Sequence, residues 1–523
     1  MGQSLLLTLR AHLSRMTILE TSTSPLPDSA QESDSPSAST PWVWLRKNSP
    51  AEFLVLIILF TFPAVLYLHD FRMTDPDFGW HLRAGEWIIS HRAVPFTDLF
   101  SSYGVGKPWY DYSWLFDIFF SLLYRASGLI GFAFMEVAVR VALPVCIYRL
   151  ARGLDLSIWP SVGATALAAY SLTSIYAPRP GMFTVFFFVI ELQLLLSALL
   201  KNRISGLFWL VPIFWLWASI HIQFIYGLII LGMFAFEPVL NFVLRYKPAP
   251  PALPIKSMLI LLASIVATLL TPYTWHLYST VFLYTGQKNI YQSISEMLAI
   301  SFREPFHYAF PVLVLAAAMA LGWSRNLRPL YLLLLSFSVL IGFRSIKDAW
   351  LLAVISIALI AISLRSETSK SNGSRAFPGK SQFALAICVI AVLAVTWRRY
   401  DINTSWIEMS LAGRYPEAAV RYVEAHHLQG PLYNDFTSGG YLIWRLPSIP
   451  VSMDGRTNVH GDDRVKAYAD SLRGLPGWEN DADLARANLI IWPTKSPLPG
   501  LLRCDPRFKQ VFSDPQATVF VRR

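Results

Sequence analysis

Charged residues are scarce in this 523-residue chain and make up 15% of it, against about 25% in an ordinary soluble domain. Hydrophobic residues make up 54%. A soluble globule of this size cannot bury that much apolar surface, and intrinsic disorder is excluded for the bulk of the chain because disordered segments have low hydrophobicity. The composition therefore indicates a polytopic membrane protein.

The chain also lacks common signatures of soluble chemistry. Its three cysteines, Cys146, Cys388 and Cys504, lie far apart and give neither a disulfide framework nor a metal-ligand spacing. It has no GxSxG and no Walker A motif, which disfavours hydrolase and ATPase chemistry. The formal net charge is +10. Most basic residues fall in short loops between apolar runs and form no basic stripe, so we expect no nucleic-acid partner.

Apolar runs that are long enough, or nearly long enough, to cross a bilayer begin at Phe53. We predict about eleven transmembrane helices, near residues 52–69, 129–148, 158–176, 181–200, 206–220, 223–243, 256–271, 308–323, 328–343, 348–364 and 381–397. Lys and Arg are more frequent in the loops on the N-terminal side of the membrane, which by the positive-inside rule places the N-terminus inside. An odd number of spans then puts the C-terminus outside.

The sequence divides into three regions. Residues 1–50, rich in Ser, Thr, Pro and Asp, are predicted to be a disordered cytoplasmic tail. Residues 51–397 are the transmembrane helical domain, with an extracytoplasmic loop at 70–128, in which Ser113–Arg125 is predicted to be a helix lying in the membrane interface. Residues 398–523 are predicted to form an extracytoplasmic α/β domain. The fold class is thus an α-helical polytopic membrane protein with a C-terminal α/β domain.

Within residues 398–523, helical and strand-like patterns alternate. A helical pattern covers Tyr415–His426 and another Asp463–Leu472. Short strand-like runs are predicted at residues 431–434, 449–453, 488–492 and 517–521.

The loop after the first predicted span is the most informative segment and begins DPDFGWHLRAGEW. Asp75 and Asp77 are two residues apart, and three interpretations are open. One carboxylate is a general base for a substrate hydroxyl, or the pair holds a divalent cation that steadies a phosphate leaving group, or the residues cap the next helix. Capping and interfacial anchoring account poorly for the two acids and for His81, which follows them.

Further polar residues lie near the outer ends of the predicted spans, and they are Arg179, His221, Arg344 and Lys347. Arginine binds phosphate bidentately and lysine binds it as a point charge. For each of them alone, snorkelling to lipid headgroups or topology is the favoured explanation. Four at one face, together with two acids, favour a site. In the outside loop 272–307, Glu296 and Glu304 are interpreted as solvated charges rather than as residues of the acceptor side.

The first loop resembles that of bacterial polytopic membrane glycosyltransferases of the GT-C type, similar in plan to the protein mannosyltransferase and aminoarabinose transferase groups. The shared pattern is D-P-D-x-x-W-H-L-x-x-G-x-x-I, then P-x-x-D-x-F-S, then G-x-P-W. Arg179-Pro180 resembles the group's R-P-x-x-F, and Trp217 with His221 resembles its W-x-N-x-H, with Ser219 in place of the usual Asn. YNDFTSGGYLIWRL and MDGR resemble its terminal domain.

This resemblance implies a transferase that moves a sugar from a polyprenyl-phosphate donor to an extracytoplasmic acceptor, in a bacterial inner membrane. Asp75 or Asp77 is then the catalytic base, and the predicted substrate-binding residues are His81, Arg179, His221, Arg344 and Lys347. A divalent cation at the two acids stays open, and no other cofactor is predicted. Two other classes also stay open, a transporter or flippase for a lipid-linked or polar solute and a non-catalytic envelope assembly protein.

Overall fold

A computed structural model describes residues 50–70, 75–174, 176–177, 179–202, 204–246, 252–365 and 379–523. The predicted disordered tail lies outside these residues except for Pro50. The helices of the first four hundred residues are α1 (Pro50–His69), α2 (Phe78–His91), α3 (Trp114–Ser127), α4 (Leu129–Gly153), α5 (Ile158–Ser171), α6 (Pro180–Lys201), α7 (Leu210–Ile220), α8 (Phe224–Ala235), α9 (Glu237–Val243), α10 (Ala252–Leu269), α11 (His276–Gly286), α12 (Ile290–Ser293), α13 (Ala309–Ser324), α14 (Pro329–Arg344), α15 (Trp350–Ser363) and α16 (Gly379–Arg399).

Six helical segments of the described chain are long and apolar enough to cross a membrane: α1, α4, α6, Pro305–Ser324, Ile346–Ser363 and α16. Helices α8 and α9 make a seventh candidate if they are one span bent by 50°. Shorter apolar helices cover Leu207–Ile220, Ile255–Leu269 and Pro329–Arg344. Every predicted span therefore contains a helix, and the helical class is confirmed. The count of about eleven spans is not confirmed by helix length and composition.

Helix α15 is the most deeply buried element of the helical domain. All its residues from Trp350 to Ile362 are buried, because the sequence WLLAVISIALIAI has apolar side chains on every face apart from Ser356 and so suits a helix surrounded by others. It packs against α4, α5, α6, α13 and α14. Because α15 is packed on all sides, the short 3₁₀ turn Ile346–Asp348, which directly precedes it, has a fixed starting point for its position.

The last 120 residues form a small mixed α/β unit. Its helices are α17 (Thr404–Ala412), α18 (Glu417–Ala425), α19 (Phe436–Arg445), α20 (Thr457–His460), α21 (Asp462–Arg473), α22 (Ala482–Arg486) and α23 (Leu498–Cys504). Its strands are β1 (Leu432–Asn434), β2 (Leu489–Pro493), β3 (Phe508–Ser513) and β4 (Ala517–Arg522). The sheet order is β1-β2-β4-β3, with β1 and β2 parallel and the other pairs antiparallel.

One strand prediction in this unit is wrong and one strand was not predicted. The run 449–453 forms no strand of the sheet, and Val451 instead makes a single bridge to Ser101 in the first loop. Its alternating apolar pattern serves contact with another part of the chain, which periodicity alone does not reveal. Strand β3 was missed because only Phe508 of its residues is buried, so its sequence shows no regular alternation of apolar and polar residues.

The C-terminal unit is docked against helix α2 of the first loop. A Cβ atom at Gly440 would lie 2.3 Å from the backbone oxygen of Pro76, and one at Gly79 would lie 2.0 Å from the backbone oxygen of Gly440. Only glycine lets α2 and α19 approach this closely. Next to this contact, buried Arg456 joins Asp454 at 2.7 Å and Asp98 of the first loop at 2.5 Å. The first loop and the C-terminal unit thus form one structure.

Candidate active site

A cavity of about 460 Å³ lies where the first loop, the ends of several membrane helices and the C-terminal unit meet. Its volume is within the range of small-molecule sites. The predicted site residues on its wall are Asp77, His81, Arg179, His221 and Lys347. The C-terminal unit contributes further wall residues that sequence reasoning did not single out, among them Phe436, Thr437, Thr457 and Tyr468.

The two acids of the first loop occupy different positions. Asp75 is fully buried, and its Oδ1 accepts hydrogen bonds from the backbone N–H of Asp77 at 3.1 Å and from Arg179 Nη2 at 3.2 Å. Tyr415 of the C-terminal unit donates to the backbone oxygen of Asp75 at 2.8 Å. Asp77 is partly exposed and lines the cavity. Asp75 therefore orients the loop, and Asp77 faces the cavity.

Helix capping does not account for the Asp77 side chain. Asp77 stands at the N-cap position of α2, yet its carboxylate makes no capping hydrogen bond to the described helix. Burial, followed by the negative charge of Asp75, raises the pKa of Asp77 to about 7. A carboxyl group with such a pKa is poised to exchange a proton near neutral pH.

The C-terminal unit packs directly against the carboxylate of Asp77. A Cβ atom at Gly455 would lie 1.8 Å from Asp77 Oδ1. Gly455 belongs to the MDGR segment, in which Asp454 and Arg456 are buried and paired. The position of Asp77 is thus set from one side by Asp75 and from the other by Gly455.

Cationic residues of the cavity wall are joined by Glu296. Arg179 Nη1 lies 2.5 Å from Glu296 Oε2, and Lys347 Nζ lies 3.8 Å from Glu296 Oε1. Burial alone would raise the pKa of Glu296, but the positive charges of Arg179 and Lys347 hold it at about 2. The interpretation of Glu296 as a solvated loop charge is therefore wrong. The sequence around a loop acid carries no signal that the acid will meet residues far away in the chain, here Arg179 and Lys347.

Two neutral histidines complete the polar wall. His81 Nδ1 lies 2.6 Å from Asp117 Oδ1, and burial lowers the pKa of His81. Asp117 belongs to α3, the helix predicted to lie in the membrane interface, and is fully buried under α2. His221, in the turn between α7 and α8, has Nδ1 2.8 Å from Thr184 Oγ1.

Arg344 is not among the residues that line the cavity. It ends α14, is exposed, and places its guanidinium carbon 4.4 Å from the centre of the Tyr291 ring. Asp75 likewise lies behind the wall rather than on it. The structure therefore brings together five of the seven predicted residues on one wall, with Asp75 directly behind them and Arg344 apart.

Among the described residues, no three His, Cys, Asp or Glu side chains are grouped so that they could hold a metal ion. A divalent cation at the two acids stays a prediction. The position beside Asp75 is taken by the guanidinium of Arg179, which supplies positive charge there.

No protein-family model and no curated protein sequence matches the chain. Solved structures do. The archaeal oligosaccharyltransferase AglB from Archaeoglobus fulgidus matches in its apo form with a TM-score of 0.51 and 13% identity, over 86% of this chain and 69% of that one. Its complex with an inhibitory peptide and a dolichol-phosphate gives a TM-score of 0.50 at 13% identity, over 86% and 70%. ArnT from Cupriavidus metallidurans bound to undecaprenyl phosphate gives 0.44 at 13% identity, over 92% and 98%.

At this level of identity, the likeness to AglB concerns the fold. The chain has a fold similar to that of a GT-C glycosyltransferase of the membrane, over most of its length. The resemblance drawn from the first-loop pattern is thereby confirmed for the fold.

The contact between Gly455 and Asp77 yields a prediction about stability. Gly455→Ala inserts a methyl group where the Asp77 carboxylate lies, so we expect it to lower the thermal unfolding temperature, by an amount corresponding to about 1–3 kcal/mol for overpacking. In an Asp77→Ala background the same change has room and should cost little. Unfolding is measured by differential scanning fluorimetry of the purified protein in detergent.

Gly500→Ala is the matched control. In the described structure, no atom other than those of its own neighbourhood in α23 lies within 4 Å of the added methyl group, so the unfolding temperature should hold or rise. If Gly455→Ala lowers the unfolding temperature equally in both backgrounds, the added methyl group does not clash with the Asp77 carboxylate.

Proposed function

We propose that this protein is an integral membrane glycosyltransferase that moves a sugar from a polyprenyl-phosphate donor to an extracytoplasmic acceptor. The observation that carries this proposal is the cavity wall, where a carboxyl group with a pKa of about 7, Asp77, shares about 460 Å³ with the cations Arg179 and Lys347. Sugar transfer from a lipid phosphate needs one group to take a proton and others to bind a phosphate. The AglB complex with a dolichol-phosphate shows that a protein of similar fold binds such a lipid.

The reaction proposed is a single displacement at the anomeric carbon. Asp77 takes the proton of the acceptor hydroxyl or amine as the acceptor atom bonds to the anomeric carbon. The bond from that carbon to the phosphate oxygen breaks, and polyprenyl phosphate leaves with the electron pair. Arg179 and Lys347 stabilise the negative charge that develops on the leaving oxygen. Such electrostatic stabilisation is usually the largest contribution to the rate. One displacement inverts the anomeric configuration.

Asp77 suits the role of base better than the other two acids. Glu296 is held at a pKa of about 2 by its two cations, so it binds protons too weakly to serve near neutral pH. Asp75 is fully buried and committed to Arg179 and to the loop backbone. Of these three acids, only Asp77 combines access to the cavity with a pKa matched to proton transfer.

We expect Asp77→Asn to reduce transfer by about 10²–10⁴-fold, the usual contribution of a positioned general base. The amide keeps the shape of the side chain, so the protein should still insert and fold. The measurement is release of radiolabelled sugar from a panel of polyprenyl-phosphate-linked sugars by purified protein in nanodiscs. Asp463→Asn, a change at an exposed acid of α21, is the control and should be inert. Full activity of the Asp77 variant would exclude it as the base.

The pH dependence follows from the same carboxyl group. A base acts only when deprotonated, and the pKa of Asp77 is about 7. We therefore expect kcat/KM to fall about tenfold for each pH unit below about 7 and to level off above it. An acid limb near pH 4 instead would indicate a carboxylate with an ordinary pKa and would contradict this assignment.

The membrane orientation belongs to the same proposal. The protein lies in a bacterial inner membrane with about eleven spans, residues 1–50 inside and the C-terminal unit 398–523 outside. The excess of Lys and Arg in the loops on the N-terminal side supports this orientation. The cavity then opens at the outer leaflet, where both the lipid-linked donor and the acceptor are accessible.

A native cysteine tests the orientation directly. Cys504 is exposed on the C-terminal unit, whereas Cys146 and Cys388 are half-buried in membrane helices. We expect a membrane-impermeant maleimide to label the protein in intact spheroplasts, and Cys504→Ser to abolish that labelling. Labelling that appears only after the spheroplasts are lysed would place the C-terminal unit inside.

A further inference from the structure

His221 is connected to two buried residues that the proposed reaction does not use. Its Nδ1 lies 2.8 Å from Thr184 Oγ1, and Trp217 Nε1 lies 2.9 Å from the same oxygen. Thr184 and Trp217 are fully buried, and His221 is 5% exposed. The other ring nitrogen of His221, Nε2, makes no hydrogen bond within the described residues, and the ring lines the cavity.

The direction of these hydrogen bonds can be worked out. An indole N–H can only donate, so Thr184 Oγ1 accepts from Trp217. The Thr184 hydroxyl proton then needs an acceptor. Thr396 donates its proton to a backbone carbonyl of its own helix, but no backbone carbonyl of the described chain accepts from Thr184. His221 Nδ1 is the acceptor that remains.

The opposite arrangement leaves a buried donor unused. If His221 Nδ1 carried the proton, Thr184 Oγ1 would accept twice and its own O–H would have no partner in a fully buried position. Such an unsatisfied group costs about 1–3 kcal/mol. Nδ1 is therefore unprotonated, and the proton of the neutral ring is on Nε2.

We propose that Trp217 and Thr184 are positioning residues that hold His221 in its Nε2–H tautomer, so that it presents a neutral hydrogen-bond donor to a phosphate oxygen in the cavity. The identity of that phosphate as a polyprenyl phosphate rests on the proposed function. Lys347 and Arg179 line the same cavity. The ionised oxygens of a phosphate only accept hydrogen bonds, so an N–H matches them where a bare ring nitrogen would not. Burial, and then the charges of Lys347 and Arg179, lower the pKa of His221 and keep it neutral.

The first test measures binding of undecaprenyl phosphate to the purified full-length protein in nanodiscs. Thr184→Val removes the hydroxyl and should weaken binding about tenfold, the loss expected from one misplaced hydrogen bond to a charged group. Thr184→Ser keeps the hydroxyl and should bind within about twofold of the wild type. Thr396→Val makes the same chemical change in α16 and should have no effect.

A double-mutant cycle separates positioning from packing. In a His221→Ala background, Thr184→Val should cause no further loss, because the two residues act through one hydrogen bond. Equal weakening by the Val and Ser variants at position 184, or an unchanged loss in the His221→Ala background, would overturn the proposal.

A second test does not depend on the ligand. In protein labelled with ¹⁵N-histidine, the His221 signals are identified by their absence from the His221→Gln variant, and the shifts distinguish a protonated Nε2 from a bare one. We expect a protonated Nε2 and a bare Nδ1, and the reverse pattern would overturn the tautomer assignment. If wild-type protein shows the expected tautomer but does not bind undecaprenyl phosphate, the proposed function fails and with it the phosphate part of this inference, while the role of Thr184 and Trp217 stands.

Discussion

The ion pair between Asp75 and Arg179 is the interaction on which the site depends. It joins the first loop to the start of α6, 104 residues further along the chain. A fully buried carboxylate requires a partner charge, and removing either member would leave the other uncompensated. Because Asp75 also accepts from the backbone N–H of Asp77, this one pair fixes the turn that aims the second acid at the cavity.

The C-terminal unit is part of the same construction. It contacts the acidic turn at three places, through the hydroxyl of Tyr415, the backbone of Gly440 and the backbone of Gly455. Two of these contacts exist only because glycine leaves room for them. Its residues Phe436, Thr437 and Tyr468 also close one side of the cavity. The candidate site is thus built from two regions of the chain, with Asp77 on the first loop and part of the cavity wall on the C-terminal unit.

Several parts of the site could be predicted from the sequence, and the reasons for success and failure are physical. Asp75, Asp77, Arg179, His221 and Lys347 stand at the ends of apolar segments, and topology places such ends on one side of a membrane. The sequence could not show that Asp75 is buried while Asp77 lines the cavity, because residues far away in the chain decide which of the two is covered.

The network behind the wall was harder still to foresee. Thr184 lies within an apolar helix, where a hydroxyl is ordinary and carries no functional signal. Trp217 was singled out with His221 by the family resemblance, but that resemblance gave no role for its indole. Glu296 stands in a loop where solvated acids are common, and its partners come from α6 and from the turn before α15. Val451 shows the same limit for the fold, since its strand-like pattern serves a bridge to Ser101 outside the sheet.

The balance of charge around Glu296 sets a condition on any anionic ligand. Glu296 stays ionised near neutral pH, because its two cations hold its pKa at about 2. A phosphate that reaches Arg179 and Lys347 must therefore share them with the Glu296 carboxylate, which is already paired with both. Two anions bound to the same cations lie close together, and they repel strongly in a site that holds little water. Either the Glu296 side chain moves away from the two cations, or the phosphate binds each cation on the side that faces away from Glu296. In both cases the anion gains affinity from neutral donors such as the N–H of His221, which add hydrogen bonds without adding charge to be desolvated.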